Sequence, residues 1–360
     1  MHQIIALRMR KYLVYLFISI IILISLELLL KIYSRFANVN FINDNRYTQL
    51  FKVYSQGKIF KSYNNFYLYE KNLDQKKYLN FYYDKKNSKL KKIWDYKFST
   101  NNYGLVQDFD LIEKKKSILF LGDSFTEGQG AKPWINYFGN EFKGLQIING
   151  GIQGTGFKQF ENLEKYLSNL FNIQKTVVIF ISPDVRRGIV RAKNSKCLKN
   201  FSNCDDKDYT LGIPDDENFD IESFVLENAK FDPEFIFEKK IIHFIRDLYL
   251  YNYTRTIINT FRLRNDKTIK NNLNSILSLK KKYKENILFI KIKDPNEIMS
   301  KKATYETRLI DKFFKNNDIK YHFCEMNNDL KLFHKYDFHP NKLGYKNLKA
   351  CVLNVLNTNF

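Results

Sequence analysis

Cysteine, proline, glycine and histidine are all scarce in this 360-residue chain, which has 4 Cys, 6 Pro, 14 Gly and 5 His. No C-x-x-C pair and no Cys/His spacing typical of a metal site is present, so the sequence predicts no structural zinc. With 44% hydrophobic and 16% aromatic residues, the low Gly and Pro content excludes a disordered or collagen-like chain and predicts a packed globular protein. If the protein lies outside the cytoplasm, Cys197 and Cys204 can close a small loop as a disulfide; two free thiols are the alternative.

No nucleic-acid-binding motif accompanies the formal net charge of +21. The lysines are spread along the chain, whereas the basic residues of a nucleic-acid-binding protein cluster on one element or motif. We therefore expect no nucleic-acid partner. Attraction to anionic lipid headgroups or to acidic glycans is the alternative that the charge allows.

One long hydrophobic run is present, at residues 12–30 (YLVYLFISIIILISLELLL), and Glu27 is its single acid. About 20 apolar residues are long enough to cross a bilayer as a helix. The run is longer than the apolar core of a signal peptide, and no small-residue cleavage site follows it. The sequence therefore predicts a transmembrane anchor at residues 12–33.

The orientation of this anchor follows from its flanking charges. Residues 1–11 carry Arg8, Arg10 and Lys11, against Lys31 and Arg35 just behind the run. Because positive residues are retained on the cytoplasmic side, the N-terminus is predicted to be cytoplasmic and the rest of the chain extracytoplasmic, which in a bacterium means the periplasm or the outer surface.

The chain after the anchor has two differently patterned parts. Residues 36–115 are rich in Tyr, Phe, Asn and Lys, with aromatic alternations such as YNNFYLY that predict strands in an accessory layer without assignable chemistry. Residues 116–360 alternate short apolar runs with helical periodicity, which is typical of a parallel sheet covered on both faces. The predicted fold class is α/β with five parallel strands, at 117–121, 145–149, 175–182, 286–293 and 318–324.

A long insertion, residues 185–285, interrupts the strand and helix rhythm of the second part. Insertions of this length usually shape a binding cleft or a lid. Residues 234–263 are helical in pattern, and the alternative is that they only cover one face of the sheet.

The candidate chemistry follows the predicted strands, because ligands of an open parallel sheet bind beyond the carboxyl ends of its strands. The first strand is followed by Gly122-Asp123-Ser124-Phe125, and the last one, after a loop, by Asp337-Phe338-His339-Pro340. A serine hydroxyl becomes a nucleophile when a base takes its proton and a third group orients that base. Ser124, His339 and Asp337 can fill these three roles. The backbone N–H groups of Ser124 and Gly154 are the candidates for an oxyanion hole.

Simpler roles stay open for the same residues. Ser124 can cap the helix that follows it, and Asp337 to Pro340 can form a plain turn. His334 is the alternative base, although it has no carboxylate at short spacing. After the third strand, Asp184, Arg186 and Arg187 are candidates for substrate binding, through a carboxylate or phosphate, or else belong to a solvated charged face.

These motifs resemble the SGNH or GDSL hydrolase family: the Gly-Asp-Ser-Phe stretch is similar to its first block, Asn149 to Gly154 to its second and Asp337-x-His339-Pro to its last. The resemblance covers roughly residues 115–356. It implies a three-layer flavodoxin-like fold and a serine esterase that acts through an acyl-enzyme, with no metal or organic cofactor. With the anchor, the chain also resembles members that modify cell-envelope polysaccharides, which implies a small acyl group, acetyl first, on an envelope glycan or lipid. An O-acetyltransferase with the same triad and an inactive glycan-binding relative are the alternatives.

The third block departs from the pattern of that family. The family usually has Gly-x-Asn-Asp, whose Asn donates to the oxyanion, whereas this chain reads Ile181-Ser182-Pro183-Asp184. Proline has neither an N–H nor a side-chain donor. Either Ser182, Arg186 or Arg187 supplies the third contact, or the hole has two donors. Loss of one donor in a comparable site lowers the rate by about 100- to 1000-fold.

Overall fold

A computed structural model of the chain describes residues 2–36, 48–55, 59–188, 211–230, 244–264 and 266–359, apart from positions 64, 85–86, 88, 143, 215, 246–247, 294, 301–302 and 327–328. The chain divides into two compact units, one of Met1–Thr48 with Glu227–Asn265 and one of Gln49–Leu226 with Asp266–Phe360. The predicted loop of Cys197 and Cys204 lies outside the described residues. The predicted boundaries of the accessory and catalytic segments stay predictions.

The helices are α1 (His2–Phe36), α2 (Ser124–Glu127), α3 (Phe157–Leu170), α4 (Ile221–Lys230), α5 (Tyr249–Arg264), α6 (Lys267–Tyr283), α7 (Pro295–Ser300), α8 (Tyr305–Asn316) and α9 (Lys342–Asn359). The strands are β1 (Thr48–Ser55), β2 (Phe60–Ser62), β3 (Tyr67–Tyr69), β4 (Lys76–Asp84), β5 (Lys89–Phe98), β6 (Lys116–Gly122), β7 (Gln146–Gly151), β8 (Asn172–Phe180), β9 (Leu211–Ile213), β10 (Ile287–Ile292) and β11 (His322–Cys324).

Helix α1 contains the predicted anchor. The segment Arg10–Phe36 of this helix is long enough and apolar enough to cross a membrane. Glu27, the acid inside the apolar run, accepts hydrogen bonds from the N–H groups of Tyr249 (2.7 Å) and Leu250 (2.9 Å) in the first turn of α5. A helix N-terminus stabilises a carboxylate because its first N–H groups have no partner within the helix.

The central sheet has five parallel strands in the order β7-β6-β8-β10-β11. Numbered along the chain, this order is 2-1-3-4-5, which is the flavodoxin-like doubly wound arrangement. One face is buried by a cluster that includes Trp134, Phe138, Leu348 and Val352. On the other face, Phe157 of α3 and Phe314 of α8 pack against Phe180 of β8. The prediction of an α/β fold with five parallel strands between two helical layers is confirmed.

The pattern of residues 342–356 predicts a final helix with Asn341 as its N-cap, and helix α9 begins there. The Oδ1 atom of Asn341 accepts hydrogen bonds from the N–H groups of Leu343 and Gly344, each at 3.0 Å. The predicted N-cap is therefore confirmed, and it fixes the start of a helix that directly follows the His339 loop. A disulfide joins Cys351 of this helix to Cys324 at the end of β11. The sequence did not predict this bond, because the helix and the strand become neighbours only once the sheet has formed.

Residues 48–98 hold strands β1–β5, and we call this region the aromatic layer. A four-stranded sheet has the order β5-β4-β1-β9, with β9 contributed by the insertion, and β2 and β3 form a separate pair. The rings of Tyr54 and Tyr78 stack with centroids 3.8 Å apart, and Trp94 meets Tyr78 edge-on at 4.7 Å. The strands predicted in the aromatic part of the sequence are present, and their side chains pack as a continuous aromatic cluster.

Candidate active site

Ser124, His339 and Asp337 form one chain of hydrogen bonds. The Nε2 atom of His339 lies 2.8 Å from Ser124 Oγ, and its Nδ1 atom lies 2.6 Å from Asp337 Oδ2. Because a carboxylate accepts from Nδ1–H, Nε2 is left without a proton and can accept the one on the serine hydroxyl. The structure thus brings together the three residues that the sequence selects from positions 215 residues apart.

The turn after β6 exposes the hydroxyl of Ser124. A side chain at Gly122 would place its Cβ 1.9 Å from Thr126 Oγ1 and 2.4 Å from the Ile179 carbonyl oxygen, so only glycine fits there. Asp123 is the N-cap of α2, since its Oδ1 accepts from the N–H of Phe125 at 2.9 Å. The alternative role of Ser124 as a helix cap is therefore taken by Asp123, and the serine hydroxyl is available to His339.

A tight loop before α9 presents Asp337 and His339. Phe338, between them, has φ of +62°, which is unusual for a residue with a side chain and costs about 1 kcal/mol or more. Two backbone hydrogen bonds hold this conformation, from His334 N–H to the His339 carbonyl (2.8 Å) and from Phe338 N–H to the His334 carbonyl (3.0 Å). The hydrogen-bonded loop orients both side chains for the chain of hydrogen bonds to Ser124, so it is more than a plain surface turn.

His334 occupies a different position in the same loop. Its Nε2 atom lies 3.0 Å from the carbonyl oxygen of Gly130, so that ring nitrogen carries a proton and donates it. Burial lowers the pKa of His334 below its ordinary value. Since the hydrogen bond of Ser124 goes to His339, the geometry favours His339 over His334 as the base.

Asp337 is held as a buried carboxylate, with 3% of its side chain exposed. Its Oδ2 atom also accepts a hydrogen bond from the indole Nε1–H of Trp94 at 2.7 Å. Burial alone would raise the pKa of Asp337, but His339, Lys52 and the Trp94 N–H hold that pKa well below its ordinary value. The carboxylate stays ionised and can stabilise a charged imidazole. Trp94 lies 243 residues from Asp337, and no sequence signal singled it out.

The two candidate oxyanion donors lie in the turns that follow β6 and β7, at the same edge of the sheet. Gly122 at the end of β6 pairs with Gly151 at the end of β7, and the Ile152 N–H donates to the Gly122 carbonyl at 3.0 Å. Gly154 follows in a turn with φ of +71°. Among the described residues, neither its N–H nor that of Ser124 has a hydrogen-bond acceptor. Two free donors therefore lie on the turns that flank the serine hydroxyl.

In the described turn after β8, Asp184, Arg186 and Arg187 each have a partner within the protein. Arg187 Nη1 contacts Asp123 Oδ2 (2.5 Å) and Asp184 Oδ1 (2.7 Å), and thereby ties the turn that carries Ser124 to the turn after β8. Asp184 is fully buried, and burial together with the nearby Asp123 raises its pKa while Arg187 opposes that rise. Arg186 Nε lies 2.8 Å from Glu306 Oε1. Substrate binding by these residues stays a prediction, with this ion-pair network as a structural alternative.

Ser182 does not point to the site as a third oxyanion donor. It is fully buried, and its hydroxyl donates to Glu297 Oε1 at 2.9 Å. With Arg186 and Arg187 also engaged, the arrangement favours a hole with two donors. Within the described ranges, no group of three or more His, Cys, Asp or Glu side chains could hold a metal ion.

No protein-family model matches this chain, and a comparison with curated proteins gives no match. Several solved structures are similar. A member of the lipolytic protein G-D-S-L family from Veillonella parvula is 9% identical, with 67% of this chain and 98% of that chain covered and a TM-score of 0.32. A GDSL-like lipase from Bacteroides thetaiotaomicron is 15% identical, with 69% of this chain and 93% of that chain covered and a TM-score of 0.34. A catalytic mutant of an acetylxylan esterase from Geobacillus stearothermophilus is 14% identical, with 68% of this chain and 94% of that chain covered and a TM-score of 0.32. The solved structures to which this chain is similar thus include G-D-S-L lipolytic proteins, the group that its sequence motifs resemble.

Proposed function

We propose that this protein is a membrane-anchored serine esterase of the SGNH or GDSL type, with Ser124 as its nucleophile. The observation that carries the proposal is the hydrogen-bond chain from Ser124 Oγ through His339 to Asp337, with distances of 2.8 and 2.6 Å. A serine, an imidazole and a buried carboxylate in this order form the arrangement that activates a hydroxyl for attack on an ester carbonyl.

The reaction follows from the roles of these three side chains. His339 Nε2 takes the proton as Ser124 Oγ attacks the carbonyl carbon, and Asp337 stabilises the resulting imidazolium. The N–H groups of Ser124 and Gly154 bind the oxyanion of the tetrahedral intermediate. His339 then gives its proton to the leaving alcohol oxygen as the ester bond breaks. Water, activated by the same imidazole, attacks the acyl-enzyme and releases the acid.

The proposed substrate is an O-acyl group, acetyl first, on a cell-envelope glycan or lipid. The apolar helix α1 supports a substrate found close to a membrane, because an anchored enzyme meets only molecules in a thin layer beside it. The net charge of +21 supports an anionic surface or glycan as the surroundings. The resemblance of the sequence motifs to envelope-modifying esterases supports a small acyl group.

The full chain in detergent is expected to hydrolyse p-nitrophenyl acetate with a higher kcat/KM than the butyrate and octanoate esters. Initial rates over a concentration series measure this preference, and the same preparation with Ser124→Ala controls for spontaneous hydrolysis. A higher kcat/KM for octanoate would contradict the acetyl assignment, without affecting the assignment of the nucleophile.

The catalytic side of the membrane is proposed to be extracytoplasmic. The excess of positive residues ahead of the apolar run supports this orientation. The disulfide between Cys324 and Cys351 supports it independently, because disulfides persist in oxidising compartments. The carboxylate of Glu27 is compatible with a helix in lipid because two backbone N–H groups satisfy it.

A protease added to cells with a permeabilised outer membrane is expected to degrade the chain after about residue 35, because the positive-inside rule places that part outside the inner membrane. Immunoblots against tags at the two termini measure the result, and a cytoplasmic protein that stays intact is the control. Protection of the C-terminal tag until the inner membrane is broken would overturn the orientation.

A further inference from the structure

We propose that the aromatic layer, residues 48–98, positions residues of the active site. Trp94 positions the triad carboxylate. The tyrosines of β1, β3 and β4 hold Gln153, the residue before the oxyanion donor Gly154. The inference deepens the proposed function and rests on it. It makes Trp94 and Gln153 positioning residues, because each acts through a neighbour that touches the reacting atoms.

Trp94 fixes the carboxylate of Asp337 through a single, directed donor. The same oxygen, Oδ2, accepts from Trp94 Nε1 at 2.7 Å and from His339 Nδ1 at 2.6 Å, so the carboxylate cannot rotate without losing both bonds. The indole is buried and lies edge-on to Tyr78, on a strand that is paired along its length with β4. An indole N–H carries no charge, so it supports the carboxylate without competing with the imidazolium as a cation would.

Gln153 is held through every polar group that it has. Its backbone N–H donates to Glu127 Oε2 at 2.7 Å. Its other partners are hydroxyls of the aromatic layer: Tyr67 donates to its carbonyl (2.8 Å), Tyr78 donates to its Oε1 (3.0 Å), and its Nε2 donates to Tyr54 and Tyr69 (3.1 Å to Tyr69). A side chain bonded in this way has one available rotamer, because any other would leave several buried polar groups without partners.

The bond from Gln153 to Glu127 connects the turn of Gly154 to helix α2, which carries Ser124. Glu127 is the last residue of α2, which begins at Ser124, and Gln153 immediately precedes Gly154 in the turn after β7. Burial raises the pKa of Glu127 to about 8, so at neutral pH a proton on its carboxyl group leaves the cluster without net charge. The aromatic layer therefore holds the turn of Gly154 at a fixed position relative to the nucleophile helix. Such pre-organised donors are what an oxyanion hole requires.

Trp94→Phe removes the donor and keeps an aromatic ring, and it is expected to lower kcat about 10-fold or more with little change in KM. Without the indole N–H, the Asp337 carboxylate loses the bond that fixes its orientation towards the His339 ring, so the loss falls on kcat and not on ester binding. Trp134→Phe is the matched control, because Trp134 is the other of the 2 tryptophans and donates its Nε1–H to the Phe125 carbonyl at 2.9 Å. It is expected to lower Tm without the loss of about 10-fold in kcat.

The oxyanion half of the inference is tested with Tyr67→Phe, which removes only the hydroxyl bonded to the Gln153 carbonyl. A looser Gly154 turn binds the tetrahedral oxyanion less well than before, whereas it binds the ground-state ester as before. The expected result is an equal loss, of about 3-fold or more, in kcat and in affinity for a trifluoromethyl ketone inhibitor, with KM unchanged. Tm measurements on both variants separate these effects from unfolding.

A wild-type kcat and inhibitor affinity in both variants would overturn the inference, because the aromatic layer would then be only a packed support. That failure is distinguishable from failure of the proposed function. If the wild-type chain neither turns over an ester nor reacts with a fluorophosphonate at Ser124, the function itself is wrong, and the variants are not needed to show it.

Discussion

His339→Ala is expected to lower kcat by about 10,000-fold or more, because the proton of the Ser124 hydroxyl then has no acceptor. His339 is the imidazole that lies at 2.8 Å from that hydroxyl, and its side chain is 13% exposed, so its removal leaves a cavity at the edge of the core and not within it. The protein should therefore fold, with at most a modest decrease in Tm. Single-turnover and steady-state hydrolysis of an activated acetyl ester measure the loss.

His334→Ala is the matched control for this variant. It removes an imidazole from the same loop, five positions away, whose hydrogen bond goes to the Gly130 carbonyl at 3.0 Å. We expect a loss of stability and a change in kcat of less than about 10-fold, since the imidazole does not contact the nucleophile. An active His339→Ala enzyme together with an inactive His334→Ala enzyme would make His334 the base and contradict the assignment.

Asp337→Asn is expected to lower kcat by about 1,000- to 10,000-fold, somewhat less than His339→Ala. An amide at this position removes the negative charge that stabilises the imidazolium. It also allows the amide NH₂ group to face the imidazole, which favours the tautomer with its proton on Nε2, the one that cannot accept a proton from Ser124. In that orientation the Trp94 N–H loses its acceptor, because it and His339 share the same Asp337 oxygen, so a decrease in Tm should accompany the loss of activity while the fold is retained.

The same substitution has a signature in the dependence of stability on pH. The pKa of Asp337 is lowered in the folded protein, so its ionisation stabilises the fold above its unfolded pKa of roughly 3.8, and this contribution is lost as the pH falls through the acidic range. The Tm of the wild type should therefore decrease more steeply below about pH 4 than the Tm of Asp337→Asn. Parallel Tm curves for the two proteins would contradict an ionised, stabilised Asp337.

The part of this site that could be predicted consists of short local patterns. Apolar runs identify parallel strands because both faces of such a sheet are buried, and the residues directly after the strands lie at one edge by the geometry of the fold. That reasoning is enough to select Ser124, and the Asp337-x-His339 spacing is enough to select a base with its carboxylate. It also predicts the Asn341 cap, which depends on residues close in sequence.

The contacts that could not be predicted join residues that are distant in sequence. A strand pattern shows that Trp94 is in a sheet, but it does not show that its N–H meets a carboxylate 243 positions later. The same holds for the bond of Arg187 to Asp123, which explains why the motif has an aspartate there: one carboxylate oxygen caps α2 and the other binds the arginine. Partner identity depends on the assembled fold, whereas periodicity reports only burial.

The most direct test of the central claim is covalent labelling of the full chain with a fluorophosphonate, followed by intact-mass measurement and peptide mapping. A phosphonylated serine forms only where a base activates the hydroxyl and donors hold the oxyanion, so the probe reports on the whole site. We predict one adduct per chain, at Ser124, that is lost in Ser124→Ala and forms far more slowly in His339→Ala. No adduct on the folded wild-type protein, or an adduct that persists in Ser124→Ala, would contradict a serine esterase centred on Ser124.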